Sequence, residues 1–143
     1  MVTPDFDAIK KKLSGVFSTM RVMVVDDMPM NLDSYRLILQ GLGVQRSNIF
    51  SATNGLKAVT SMVSTKPDLI LSDWNMPVMD GLEFFRSIKG NDRLSSIPFL
   101  LLTSKNSKDE VMKALKVGIK NYIIKSNDTE PFKDKIKSML VAG

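Results

Sequence analysis

Four short apolar runs constrain this chain more than anything else in it: Val22-Met23-Val24-Val25, Leu69-Ile70-Leu71, Phe99-Leu100-Leu101-Leu102 and Tyr122-Ile123-Ile124. They are continuous rather than alternating, the pattern of strands buried on both faces of a parallel sheet. A weaker fifth run, Asn48 to Ala52, reads as a partly exposed strand. Helical spacing fills the intervals. Pro29 to Leu42 carries Leu32, Tyr35, Leu39 and Leu42 on one face, with Pro29 suited to a first turn. Gly55 to Val63 repeats the pattern with Leu56, Val59 and Val63, and Leu82 to Lys89 with Leu82, Phe85 and Ile88. Lys108 to Val117 uses Val111, Met112 and Leu115, and Glu130 to Leu140 uses Phe132, Ile136, Met139 and Leu140.

Strand and helix in alternation predict an α/β fold: a doubly wound, five-stranded parallel sheet with helices on both faces and right-handed crossovers. Residues 20–143 are expected to make up that single domain. Residues 1–19 fall outside it as an N-terminal extension, predicted to be helical from Thr3-Pro4 and the spacing of Phe6, Ile9, Leu13 and Val16 or Phe17. Such a segment either lies on the domain or serves a partner. No run approaches the ~18 apolar residues of a membrane span, and no apolar signal segment opens the chain.

The polar residues at the end of each buried run carry the chemistry: Asp26-Asp27, then Asp73, then Thr103-Ser104, then Lys125. Ligands of open parallel sheets bind outside the carboxyl ends of the strands. Taken singly, an acid there is usually a helix cap, a threonine solvates a turn and a lysine is simply exposed. Taken together, they put three carboxylates, a hydroxyl and an ammonium around one cleft. Two like charges ~4 Å apart repel by ~4 kcal/mol at an effective dielectric near ~20. Such a trio therefore calls for a cation or for protons. The chain has no histidine and no cysteine, which removes imidazole bases, thiolate nucleophiles and His- or Cys-bound zinc. A hard cation on oxygen ligands, Mg²⁺, is the natural guest. An aspartate beside it can attack phosphorus and become an acyl phosphate.

These residues resemble the signature of the receiver domain of two-component response regulators, over about residues 20–140. The loop from Trp74 to Glu83, WNMPVMDGLE, is similar to the phosphorylation loop of the single-domain, CheY-like chemotaxis regulators. The resemblance implies that Asp73 is the phosphoacceptor, that Asp26, Asp27 and Asp73 hold Mg²⁺ with the Asn75 backbone carbonyl, and that Lys125 pairs with the phosphoryl oxygens. Thr103 and Tyr122 would form the switch, and Asn75 and Lys105 would tune how long the phosphoryl group survives. A sensor histidine kinase or a histidine phosphotransfer protein would supply that group, since this chain offers no histidine. One departure stands out: Ser126 comes after Lys125, where the family has proline after a cis peptide.

Charge suggests the output. From Thr103 onward nine lysines face five acids. The expected target is therefore a protein docking on a basic face built from the fourth helix, fifth strand and last helix, rather than nucleic acid or a membrane. The chain ends soon after its last predicted helix, so output by contact, in the cytoplasm, is the expectation. Chemotaxis-type signalling leads, with phosphotransfer in a relay or a phosphorylation-independent interaction module as alternatives. An aspartate-nucleophile phosphatase, the enzymatic reading, lacks its usual second acid, because Asn75 stands in that place.

Overall fold

The computed structural model describes residues 15–104 and 108–142. Its strands are β1 (Val22–Val25), β2 (Ile49–Ala52), β3 (Leu69–Asp73), β4 (Phe99–Thr103) and β5 (Tyr122–Ile124), and its helices α1 (Pro29–Leu42), α2 (Gly55–Ser61), α3 (Gly81–Lys89), α4 (Lys108–Lys116) and α5 (Glu130–Ala142). The strands form one parallel sheet in the order β2-β1-β3-β4-β5. The winding direction reverses between β1 and β3, so a crevice opens where those two strands end.

Strand alternation feeds two cores. Met23, Val25, Ile70, Phe99 and Leu101 point to one face and pack with Ala58, Met62, Phe84, Phe85, Ile88 and Ala114 from α2, α3 and α4. Val22, Val24, Leu69, Leu71, Leu100 and Leu102 point to the other, against Leu32, Tyr35 and Leu39 of α1 and Phe132 and Ile136 of α5. Residues 15–19 are helical, and Phe17 and Met20 are buried in this second core. The rest of the predicted N-terminal helix lies outside the described residues.

Two predicted helix faces are corrected. In α2 the buried residues are Gly55 and Ala58, joined by Met62 just past the helix and by the expected Val59 half-buried against the core, whereas Leu56 and Val63 are exposed. Gly55 packs so tightly on Met79 and Phe84 that the start of α2 is fixed, and the helix stops before Val63. In α4 the buried residue is Ala114, with the expected Val111 half-buried and Val117, just past the helix, half-buried against the core, and Met112 and Leu115 are 51% and 49% exposed. Small Ala114 lets α4 settle on the sheet, which leaves the larger pair on its outer flank. Among the described residues no helix is long and apolar enough to cross a membrane.

Candidate functional site

Register brings the site residues level. Val25 pairs with Ser72, so Asp26 emerges beside Asp73, and Asp73 itself pairs with Leu102. Thr103 pairs with Ile124, one residue short of Lys125, and the Lys125 backbone N–H donates to the Thr103 carbonyl at 2.7 Å. Asp73 and Thr103 are thus the last residues of their strands, and both are buried.

The three acids differ in environment. Asp26 is fully buried and heavily bonded. Its Oδ1 accepts the Met28 N–H at 3.0 Å, while its Oδ2 accepts from Asn31 Nδ2 at 3.1 Å, Tyr35 OH at 3.1 Å and Lys125 Nζ at 3.2 Å. Asp27 is exposed. Asp73 pairs through Oδ1 with Lys125 Nζ at 2.9 Å. Lys125 therefore bridges two carboxylates from strands on the far side of β4. One oxygen from each of Asp26, Asp27 and Asp73 falls within 4.8 Å of the others.

The electrostatics stem from burial. Desolvation pushes the Asp73 carboxyl above its ordinary value despite the bond and charge of Lys125, and Asp26 adds to the rise. Burial pulls Lys125 down, but Asp73 and then Asp26 outweigh it, so the ammonium is held above its usual range and stays charged. Burial and the Asp26 carboxylate push the Tyr35 phenol up, leaving it a proton donor. One ammonium cannot neutralise three carboxylates in so small a space. The donors are all hard oxygens, which fits Mg²⁺ and not a metal seeking nitrogen or sulfur.

The loop after Asp73 is anchored by buried Trp74 and Met76 and closed by the Gly81 N–H donating to the Trp74 carbonyl at 2.8 Å. It ends in a capping box, with Asp80 accepting the Glu83 N–H at 2.9 Å and Glu83 accepting the Asp80 N–H at 3.2 Å. Asn75 is exposed in this loop, and Tyr122 is half-buried against the α2–α4 core. Lys105 lies outside the described residues. The Lys125–Ser126 peptide is trans. Ser126 takes the place of the family's proline and accepts the Asp128 N–H at 3.1 Å, and Asp128 in turn accepts the Glu130 N–H at 3.0 Å to lead into α5.

Asn31 and Tyr35 are the site residues that sequence reasoning missed. Helical spacing places Tyr35 on the core stripe of α1, and its ring does lie there. The available signal is a hydroxyl among leucines, because a buried tyrosine usually finds a hydrogen-bond partner.

A profile of the response regulator receiver domain matches residues 22–137. This chain is a member of the response regulator receiver family. The receiver domain is 30% identical to chemotaxis protein CheY1 of Helicobacter pylori over 122 residues, which span 85% of this chain and 97% of that protein. Among solved structures, the signal receiver domain of a signal transduction histidine kinase from Syntrophus aciditrophicus superposes with a TM-score of 0.78 at 31% identity, covering 87% of this chain and 92% of that one. The response regulator TrrA of Thermotoga maritima, solved in complex with Mg²⁺ and BeF, superposes with a TM-score of 0.73 at 27% identity, covering 85% and 99%. The receiver fold read from the four apolar runs is thereby established, five parallel strands included.

Proposed function

We propose that this receiver domain is the phosphoacceptor of a two-component pathway, taking a phosphoryl group on Asp73 from a phosphohistidine of a sensor kinase or a histidine phosphotransfer protein. The observation that carries the reading is Lys125 Nζ at 2.9 Å from Asp73 Oδ1, beside three carboxylates gathered within 4.8 Å. An Asp73 oxygen attacks phosphorus and forms the acyl O–P bond, while the bond to the donor breaks and its electron pair leaves with the donor. Lys125 shifts from the carboxylates to the transferred oxygens. Asp27 and Asp73, with Asp26 beside them and the Asn75 carbonyl, are the groups that would hold Mg²⁺. When bound, Mg²⁺ neutralises charge on the incoming phosphoryl group. No histidine of this chain is needed, and none exists. The protein turns over no substrate of its own.

On this reading buried Thr103 and half-buried Tyr122 pass the new charge to the outer surface as a population shift. That surface carries Lys113, Lys116 and Lys120 among exposed Met112, Leu115 and Ile124. Lysines interleaved with apolar side chains suit an acidic, amphipathic protein segment. Likeness to chemotaxis proteins supports chemotaxis-type signalling by contact.

The test is incubation with Mg²⁺ and a small acyl phosphate donor, then intact mass under acid. A gain of one phosphoryl group that Asp73→Asn abolishes is the expected result. No gain at any Mg²⁺ level would leave the protein as a phosphorylation-independent interaction module.

A further inference from the structure

Asp26 Oδ2 accepts from three donors at once: Asn31 Nδ2 at 3.1 Å, Tyr35 OH at 3.1 Å and Lys125 Nζ at 3.2 Å. An ionised carboxylate has about four lone-pair sites shared between its two oxygens. This oxygen is therefore crowded, and its donors are not equivalent. Lys125 is shared with Asp73 at 2.9 Å, whereas Asn31 and Tyr35 both come from α1. The Tyr35 ring is buried and stacks on Phe132 of α5, with centroids 5.9 Å apart and planes at 11°. The packed ring aims its hydroxyl at Asp26 before anything binds. Phenylalanine would fill the same core space. The hydroxyl is what the packing leaves unexplained.

We propose that Tyr35 is a positioning residue of the phosphoacceptor site, whose hydroxyl, with Asn31, keeps Asp26 fixed when Lys125 leaves it for the transferred phosphoryl group. This rests on the reading of Asp73 as phosphoacceptor. In the transfer from a small acyl phosphate, an Asp73 oxygen bonds to phosphorus and the carboxylate of the donor departs with the electron pair. Lys125 then tracks the phosphoryl oxygens, and the buried Asp26 loses its only cationic partner among the described residues. A buried carboxylate that gives up its ammonium and keeps only a share of the Mg²⁺ the cleft would hold is less well compensated, and that is costly. Two neutral donors already in place reduce that cost and hold Oδ1 in its orientation. The contribution of Tyr35 is thus small while Lys125 is docked and large once it has moved.

The dependence on state separates this role from simple core packing. The chain has one tryptophan, Trp74, next to Asp73, so its fluorescence reports Mg²⁺ binding at the site. For Tyr35→Phe the Mg²⁺ midpoint and the donor KM should stay within about twofold of wild type, while the maximal rate of acyl phosphate formation falls on the order of tenfold, as expected for losing a hydrogen bond to a charged group in one state only. An unchanged maximal rate, or a loss confined to Mg²⁺ affinity, would overturn the proposal. A second measurement does not depend on that variant folding. The chain has two tyrosines, so uniform 3-fluorotyrosine labelling gives two ¹⁹F resonances, and Tyr122→Phe leaves only that of Tyr35. Beryllofluoride added to the Mg²⁺-loaded protein should shift the Tyr35 resonance beyond its position with Mg²⁺ alone, and a resonance that does not move refutes the role. Wild type that forms no acyl phosphate would sink the parent reading and this one with it. Wild type that is fully active, with an undiminished Tyr35→Phe rate or an unmoved Tyr35 resonance, would sink this one alone.

Discussion

Gly81 lies directly under the backbone carbonyl of Asp73, so close that a Cβ added there would collide with that oxygen and press on the Trp74 Cα at 3.0 Å. The first residue of α3 and the proposed phosphoacceptor therefore share one tight corner, closed by the Gly81 N–H on the Trp74 carbonyl. Gly81→Ala must move either the helix or the strand end. The expected cost is about 2 kcal/mol or more, with acyl phosphate formation lost as Asp73 shifts. Gly41→Ala is the control, because no atom lies within 4 Å of its added Cβ and the residue sits in the last turn of α1. That change should be neutral or stabilise by up to about 1 kcal/mol. Urea denaturation of the two variants checks both signs.

Val78 in the same loop has φ 70°, in the left-handed region where a β-branched side chain is strained, and it is 74% exposed. Replacing it removes strain without removing packing. Val78→Gly and Val78→Asn should each stabilise by about 1 kcal/mol, a gain read from the urea midpoint. A loss of stability in both would show that the valine side chain has a contact worth more than the strain.

The raised Asp73 carboxyl gives stability a pH dependence of definite sign. A group that binds its proton more tightly when folded contributes fully below its unfolded value and loses that contribution as pH rises through the folded one. Ionised Asp73 therefore weakens the fold at neutral pH, chiefly through burial. Asp73→Asn should be more stable than wild type by about 1 kcal/mol, or a few degrees in Tm, at pH 7. Lys125 keeps Asp26 as a partner at 3.2 Å in that variant. The gain should shrink as pH falls through the Asp73 value, because the wild-type carboxyl is then neutral as well. Thermal melts across the acid range would decide it, and a gap that widens toward low pH would contradict the sign.

The same shift sets the acid limb of reactivity. The nucleophile must be ionised, so acyl phosphate formation should fall with a midpoint above 3.8, the ordinary aspartate value. Mg²⁺ favours the ionised form, so saturating Mg²⁺ should move that limb to lower pH. Initial rates against pH at low and saturating Mg²⁺ test the displacement, and coincident limbs would rule out a shared site.

Charge on the outer face should govern docking. Lys113 and Lys116 are exposed on α4, flanking Met112 and Leu115. The double change Lys113→Glu, Lys116→Glu should weaken capture of the acidic partner in a pulldown, most strongly at low salt. Met112→Ala should weaken it without altering the salt dependence. Equal capture by both variants at every salt concentration would place the interface elsewhere.

Much of this molecule is legible from residues alone, for a physical reason. Strands buried on both faces must be continuously apolar, so β1, β3 and β4 declare themselves, while β5 shows the same apolar run although the sheet edge leaves it half-buried, and the polar residue ending each one marks the cleft. Helix faces are less legible where two stripes compete. In α4 the i, i+3 row of Val111, Ala114 and Val117 wins over Met112 and Leu115, because close approach to the sheet favours the smaller side chain. Tyr35 lies in the core as its spacing requires, but its hydroxyl reaches Asp26 across the gap between α1 and β1, a relationship that no periodicity encodes.

Lys125 comes after the shortest of the five strands, at one edge of the sheet, and β5 is the only strand besides β2 that is not fully buried. The acids, by contrast, sit at the ends of the central strands β1 and β3. Edge strands open locally at lower free energy than the centre of a sheet. The cleft thus keeps its negative charge on its most durable part and its positive charge on its most easily detached part. Fraying of the three residues of β5 would withdraw the ammonium and leave the carboxylates where they were. Backbone amides at Lys125 should exchange with deuterium well before those of Val24 and Leu71, and the rhythm of that exchange would mark how often the pocket stands uncompensated.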